Sequence, residues 1–284
     1  MLERLLICTD LDRTLIPNGK QPESPNAREF FSQLVSNDRI TLAYVSGRDM
    51  MLVEKGIAEY QLPFPNFVIA DVGASIYKFD NHKWLRFESW DQNISRDWQN
   101  KNQLDLVPLF SDLKECRLQE IEKQGLHKLS YYVALDTDIE AIITEVRSRL
   151  ENERFQSNII WSVDEQVNVG LMDILPLSAN KKYAIEFLME NQKFQRENTI
   201  FSGDSGNDLD VLISPIKSIL VANSSVKIKE KVRAEMSKMT FNNSLYIAQG
   251  GYLNMNGNYS AGILEGIFHY FPEIDNWLNK STEI

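Results

Sequence analysis

Leu5-Leu6-Ile7-Cys8-Thr9-Asp10-Leu11-Asp12-Arg13-Thr14 is the stretch on which the fold turns. Its first five residues are an apolar run without alternation, the pattern of a strand buried on both faces of a parallel sheet. The run gives way at once to Asp10 and Asp12, two acids at i and i+2 that share one side of an extended chain. Ile40-Thr41-Leu42-Ala43-Tyr44-Val45 repeats the pattern and opens onto Ser46-Gly47-Arg48. Between the two, Ser24-Pro25-Asn26 reads as a helix start, and Phe30, Phe31 and Leu34 mark one apolar face. A strand–helix–strand unit implies a parallel sheet covered by helices. Phe67-Val68-Ile69-Ala70 reads as a third strand, turning through Gly73-Ala74 into Ser75-Ile76-Tyr77 as a hairpin.

The middle of the chain has a different character. From Lys83 to Gln124 it is rich in Trp, Gln, Asn and Asp, with Trp84, Trp90 and Trp98 among them. Then come a strand over Leu129 to Leu135, an amphipathic helix from Asp138 to Leu150, and strands at Ile159 to Val163 and Val167 to Leu175. The parallel pattern resumes with a helix from Lys182 to Asn191 and strands at Thr199 to Ser202 and Ser218 to Ala222. The expected architecture is α/β: a doubly wound, Rossmann-like parallel-sheet core over residues 1–84 and 174–284. Residues 85–173 would be a smaller inserted α+β cap domain. No internal repeat or disordered linker interrupts it.

Composition agrees with a folded chain of about two domains. Of its 284 residues, 43% are hydrophobic and 25% charged, against disorder. Thirty basic against forty acidic residues leave a net charge of −10, which disfavours a nucleic-acid or anionic-membrane partner. Two cysteines, Cys8 and Cys116, are too few for a disulfide framework or a multi-cysteine zinc site. With no long apolar run and no secretory leader, a cytoplasmic protein is the expectation.

Three polar clusters directly follow expected strands: Asp10/Asp12, Ser46, and Asp204/Asp208 within Gly203-Asp204-Ser205-Gly206-Asn207-Asp208. Strand carboxyl ends are where doubly wound sheets bind ligands. Singly, each cluster reads as ordinary turn or capping chemistry. Together they describe a phosphoryl-transfer site. Converging carboxylates are relieved by a hard divalent cation such as Mg²⁺, and a lysine adds positive charge for the phosphoryl group. One carboxylate can attack phosphorus, and a second can protonate the leaving oxygen and later activate water.

Asp10-Leu11-Asp12-Arg13-Thr14, Ser46-Gly47-Arg48, Lys181 and Gly203 to Asp208 resemble, in order, the four motifs of the haloacid dehalogenase superfamily of phosphohydrolases. That resemblance implies Asp10 as nucleophile and Asp12 as general acid/base. Ser46 would hydrogen-bond the phosphoryl group and Lys181, in preference to Lys182, would hold its charge. Mg²⁺ would be bound by Asp10, the Asp12 carbonyl and Asp204, with Asp208 nearby. The short gap from Asp12 to Ser46 and the long one from Ser46 to Lys181 resemble a chain with a type C2B cap.

Three further stretches resemble the sucrose-6-phosphate phosphatase group: Leu118 to Tyr132, Asp173-Ile174-Leu175-Pro176, and Ser260 to Tyr270 with Gly262-Ile263-Leu264-Glu265-Gly266. They imply a small-molecule sugar phosphate as partner, held by Ser46, Gly47, Arg48, Asn207 and the cap residues Gln124, His127 and Lys128. Two features depart from that group. Lys123 stands in place of Glu, and Arg13 where the superfamily has Gly and the sucrose phosphatases Asn. Phosphatases of mannosylfructose, glucosylglycerol or hexose phosphates, a phosphomutase, and a silent binding protein are the other readings. The tryptophans are either stacking faces for sugar rings or packing, and Glu265 is read as an exposed or capping acid.

Overall fold

The computed structural model describes residues 2–164, 167–239 and 244–278. Residues 240–243 and 279–284 of the expected core range lie outside the described residues. In chain order the strands are β1 (Leu5–Thr9), β2 (Ile40–Val45), β3 (Phe67–Ala70), β4 (Ser75–Asp80), β5 (Lys83–Arg86), β6 (Cys116–Leu118), β7 (Leu129–Val133), β8 (Ser157–Asp164), β9 (Val169–Pro176), β10 (Thr199–Gly203), β11 (Lys217–Leu220) and β12 (Leu245–Ile247). The helices used below are α1 (Ala27–Val35), α2 (Met50–Glu59), α3 (Glu88–Ser95), α4 (Gln103–Leu106), α5 (Ile139–Asn152), α6 (Lys181–Gln192), α7 (Leu209–Leu212), α8 (Val226–Met236) and α9 (Ser260–Tyr270).

The larger sheet has the order β12-β11-β10-β1-β2-β3-β4-β5. Pairs from β12 to β3 are parallel, and β4 and β5 continue antiparallel. β1 is buried at every position because it lies mid-sheet with a helical layer on each face. Leu5 and Ile7 point into one layer, with Phe31 of α1, Val53 of α2 and Ile263 of α9. Leu6 and Cys8 point into the other, with Trp90 of α3, Ile185 of α6, Leu212 of α7 and Val232 of α8. The unalternating run is thus a two-faced strand whose odd and even residues feed separate cores.

The smaller sheet, β6-β7-β9-β8, is antiparallel and forms the cap. One face packs on α5, where Ile142, Val146 and Leu150 meet Tyr131, Val133, Met172 and Ile174. Trp98, Leu106 of α4 and Phe110 close that core. Within the segment expected as cap, α3 lays Trp90 and Ile94 on the larger sheet.

Of the two expected readings of Glu265, exposed or capping, the second holds and the first does not. It is buried in α9 and accepts from Tyr246 Oη (2.7 Å) and from the Gln249 and Gly250 amides (2.9 and 2.8 Å). Its two oxygens therefore cap a loop after β12, where burial without those donors would be costly. The glycines on the same helix are close-packing positions. A Cβ on Gly262 would sit 2.1 Å from the Gly257 carbonyl oxygen, and one on Gly266 2.4 Å from Ile219. Gly262→Ala has a backbone atom to displace, so it is expected to lose about 1–3 kcal/mol of stability. Thermal and urea denaturation check this, with a wild-type midpoint refuting the tight packing.

Candidate active site

Each cluster read from the sequence leaves the carboxyl end of its strand at one edge of the larger sheet. The Asp10 amide donates to the Ser202 carbonyl (2.8 Å), tying the first acid to the end of β10. The Ser46 amide donates to Ile69 (2.8 Å), tying the end of β2 to β3. Parallel register sets Thr9 beside Tyr44 and Ser202, so loops distant in sequence become neighbours. Lys181 enters from α6, whose N-cap Asn180 accepts from the Tyr183 amide (3.0 Å).

At the centre stands the Lys181 ammonium. With 1% of its side chain exposed, it donates to Asp10 Oδ1 (2.9 Å) and Asp208 Oδ1 (2.7 Å), and to Asn207 Oδ1 at 3.4 Å. Lys182 instead lies over the Tyr183 ring at the surface. The other Asp208 oxygen accepts from the amides of Asp204 and Ser205, both at 3.0 Å. A Cβ on Gly203 would fall 2.5 Å from Asp208 Cγ, so only glycine lets the loop wrap that carboxylate. Asp204 receives Thr14 Oγ1 (3.4 Å) and Arg13 Nε (3.4 Å).

Asp10, Asp204 and Asp208 are all buried and offer oxygens within 4.8 Å of one another. Burial pushes the Asp10 carboxyl well up, against the pull of Lys181, with Asp208 adding to the rise. Asp204 is pushed up to about 6 by burial and then by Asp208, against Arg13 and Lys181. Lys181 is itself held above its ordinary value, because its two carboxylates outweigh its burial. Three hard anionic donors around a small space suit a divalent cation, which would take up the charge that one lysine leaves uncompensated.

Asp12 faces elsewhere. Its oxygens receive a two-pronged Arg48 contact, Nε to Oδ2 at 2.8 Å and Nη2 to Oδ1 at 2.6 Å, plus Asn18 Nδ2 at 2.7 Å. Burial works against ionisation, but the Arg48 and Asn18 hydrogen bonds win and hold the carboxyl below its usual range. The same Asn18 accepts from the Arg13 amide (2.8 Å), and Asn223 donates to the Arg13 carbonyl (2.6 Å). Arg13 is thereby pinned in the left-handed region at φ 59°, a conformation that Gly and Asn adopt at the least cost.

Of the residues expected to hold substrate, Ser46 is buried, with Oγ accepting the Arg48 amide at 3.1 Å. A Cβ on Gly47 would lie 3.9 Å from Asn207, so these two motifs meet. The Arg48 guanidinium is engaged with Asp12 rather than open to a ligand. In the cap, Gln124 spends its amide on Gln119, on Ser130 O and on Ser130 N, a clamp across a turn. His127 is buried edge-on against Trp98, its Nδ1 without a hydrogen-bond partner. Lys128 reaches the core and pairs with Asp71 at 3.3 Å. Trp90 and Trp98 are buried, their indole N–H groups bound to Gly73 and Ser157, so packing is their role. Trp84 stacks on Phe64.

Sequence reading missed Asn18 and Asp71. Asp71 directly follows β3, so the rule that found Asp10, Ser46 and Asp204 would have found it too. Asn18 carries no such signal.

The model of the sucrose-6F-phosphate phosphohydrolase family matches residues 3–271. A Nitrosococcus oceani protein, described no further than as a HAD-like hydrolase, is 47% identical over 283 residues, covering 100% of this chain and 76% of that one. Sucrose-phosphatase 2 of Nicotiana tabacum is 27% identical over 231 residues, 79% of this chain and 52% of the relative, so the chain spans about half its length. The crystal structure of the Synechocystis sucrose-phosphatase, in complex with sucrose and phosphate, superposes with a TM-score of 0.70 at 22% identity, covering 94% and 98% of the two chains. That likeness is one of fold.

Both raised carboxyls hold protons in the folded state at pH values where the unfolded chain has lost them. The metal-free protein should therefore lose stability as pH rises above about 4, Asp204 contributing up to about 6 and Asp10 beyond it. Protons and a divalent cation compete for the same oxygens. Mg²⁺ at about 100 times its Kd should restore about 2.7 kcal/mol, and at equal concentration more at pH 8 than at pH 5.5. Thermal shift with EDTA or Mg²⁺ at the two pH values measures it; an equal increment refutes the shared site.

Proposed function

The chain belongs to the sucrose-6F-phosphate phosphohydrolase family, a phosphoric monoester hydrolase, and from that premise we propose that it releases phosphate from a disaccharide phosphate of the sucrose-6-phosphate kind. The observation that carries the reading is one buried lysine bridging Asp10 to the acidic cluster at the strand ends, with Asp12 two residues on. We assign residues 1–84 and 174–284 to the phosphatase core and 85–173 to the cap, although α3 packs on the core.

Asp10 attacks phosphorus through a carboxylate oxygen, and the bond from phosphorus to the sugar oxygen breaks, leaving an aspartyl-phosphate. Asp12 gives its proton to the departing sugar oxygen. In the second half Asp12 takes a proton from water, whose oxygen attacks phosphorus and frees Asp10 and inorganic phosphate. Lys181 and Ser46 hold the equatorial oxygens. Asp10, Asp204 and Asp208, with the Asp12 carbonyl, would hold Mg²⁺, which would supply further neutralisation of phosphoryl charge.

The Arg48 contact suits the second half, since it keeps Asp12 ionised and ready as a base. The first half needs Asp12 protonated. A phosphate dianion beside it raises its proton affinity and draws Arg48 towards the new charge. The cap excludes water while the ester is broken.

Two experiments test this. With Mg²⁺, the protein is assayed for inorganic phosphate release on sucrose-6-phosphate, mannosylfructose phosphate, glucosylglycerol phosphate and hexose phosphates. Fastest turnover is expected on a disaccharide ester, and none with Asp10→Asn. Conversion of a hexose phosphate to its isomer without phosphate release would identify a phosphomutase instead. Asp12→Asn should cost about 10²–10⁴ in rate on the sugar ester. It should cost less on p-nitrophenyl phosphate, whose leaving group departs without a proton. Equal losses on both would refute the acid role.

A further inference from the structure

Asp71, Val72 and Gly73, directly after β3, are three successive residues with positive φ (52°, 59° and 108°). For a β-branched valine that conformation is strained, and strain of this kind persists only where the surroundings over-determine it. Here the surroundings are the catalytic elements. The Asp71 amide donates to the Arg48 carbonyl (2.9 Å) and the Val72 amide to the Ser46 carbonyl (3.0 Å). Gly73 presses on the start of α6: a Cβ there would lie 2.4 Å from the carbonyl carbon of Asn180, the residue before Lys181. One short loop thus touches the backbone of Ser46 and that of Asn180, the N-cap from which Lys181 starts α6.

The same loop receives the cap. Asp71 Oδ2 accepts from Ser75 Oγ (2.9 Å) and Oδ1 from Lys128 Nζ (3.3 Å), with only 12% and 11% of the two side chains exposed. Lys128 is itself held rigidly. Its backbone closes a turn with Gly125 (3.0 and 3.2 Å), and the Gln124 amide clamps the far end of that turn at Ser130. A second, more exposed contact runs beside it, Lys123 to Asp49 at 3.7 Å. Asp49 is the N-cap of α2 and follows Ser46-Gly47-Arg48. The cap turn therefore lands on acids of two loops, the one that holds Ser46 and the one that bonds its carbonyl.

We propose that Asp71 is a positioning residue: by seating the cap lysine Lys128 on the strained loop, it couples cap closure to the placement of Ser46 and Lys181. The proposal rests on the phosphatase reading above for its consequence in turnover, but the coupling itself is a property of the unliganded chain. Burial gives the pair its leverage. Neither charge has another opposite partner at hydrogen-bond distance among the described residues, so opening the cap leaves each to be met by water, while closing it demands both in register.

Hydrogen–deuterium exchange on the intact protein without substrate tests the coupling in wild type, Asp71→Asn, Lys128→Gln and the double variant. Asn keeps the left-handed backbone at low cost, and Lys128→Gln leaves the core loop unaltered. Each single change should speed exchange by about tenfold or more both in residues 71–75 and in residues 124–130, and the double change no further than either. Lys128→Arg should restore slow exchange. In turnover of the best ester from the panel, kcat should fall about tenfold in each single variant, again without a further loss in the double. Exchange confined to residues 71–75, or effects that multiply in the double variant, would overturn the proposal, since Asp71 would then serve only its own turn. If the wild type releases phosphate from none of the esters, the proposed function fails and the exchange data decide the coupling alone.

Discussion

Everything at the carboxyl edge of the larger sheet is arranged around one electrostatic problem: three carboxylates and a single buried ammonium. Isolated charges of this kind do not survive burial, because the cost of leaving water exceeds what one contact returns. Lys181 answers part of the problem by bridging Asp10 and Asp208. Backbone amides of Asp204 and Ser205 answer another part by turning towards Asp208. What remains is negative, and it is confined to the space where a cation and a phosphate would meet. The overall −10 of the chain is consequently a poor guide to what it binds, since a local balance of this kind governs the site.

That constraint also explains which residues the sequence made visible. Asp10, Ser46 and Asp204 each stand directly after a run of buried strand residues, and the doubly wound sheet gathers such ends along one edge. The eight-stranded core and the four-stranded cap follow from the same runs. Arg48 was visible as a residue but not in its contact. Its hold on Asp12 depends on the register between β1 and β2, which no local pattern specifies. Short edge strands such as β5 and β6 have too few residues to show a period. The tryptophans and Gln124 each allowed two readings for a common reason: a side chain suited to a sugar is equally suited to a protein interior, and only the packing shows which partner it has here.

The pairing of Arg48 with Asp12 and of Lys128 with Asp71 gives the site two ion pairs of different kinds. The first is partly exposed, so in the proposed reaction an incoming dianion can compete for its guanidinium. The second is buried and lies between the sheets, so it responds to geometry more than to charge.

The position of β1 has a consequence for how the polypeptide is made. Its one neighbour, β2, emerges from the ribosome soon after it, but the other, β10, follows only after the whole cap has been synthesised. Until then β1–β5 can complete no more than a half-sheet edged by β1, a strand buried at every position in the finished fold, with its backbone groups unpaired along that side. An open hydrophobic edge of this kind invites pairing with other chains. The nascent protein therefore risks misassociation at the strand that later presents Asp10, for as long as translation of the cap takes.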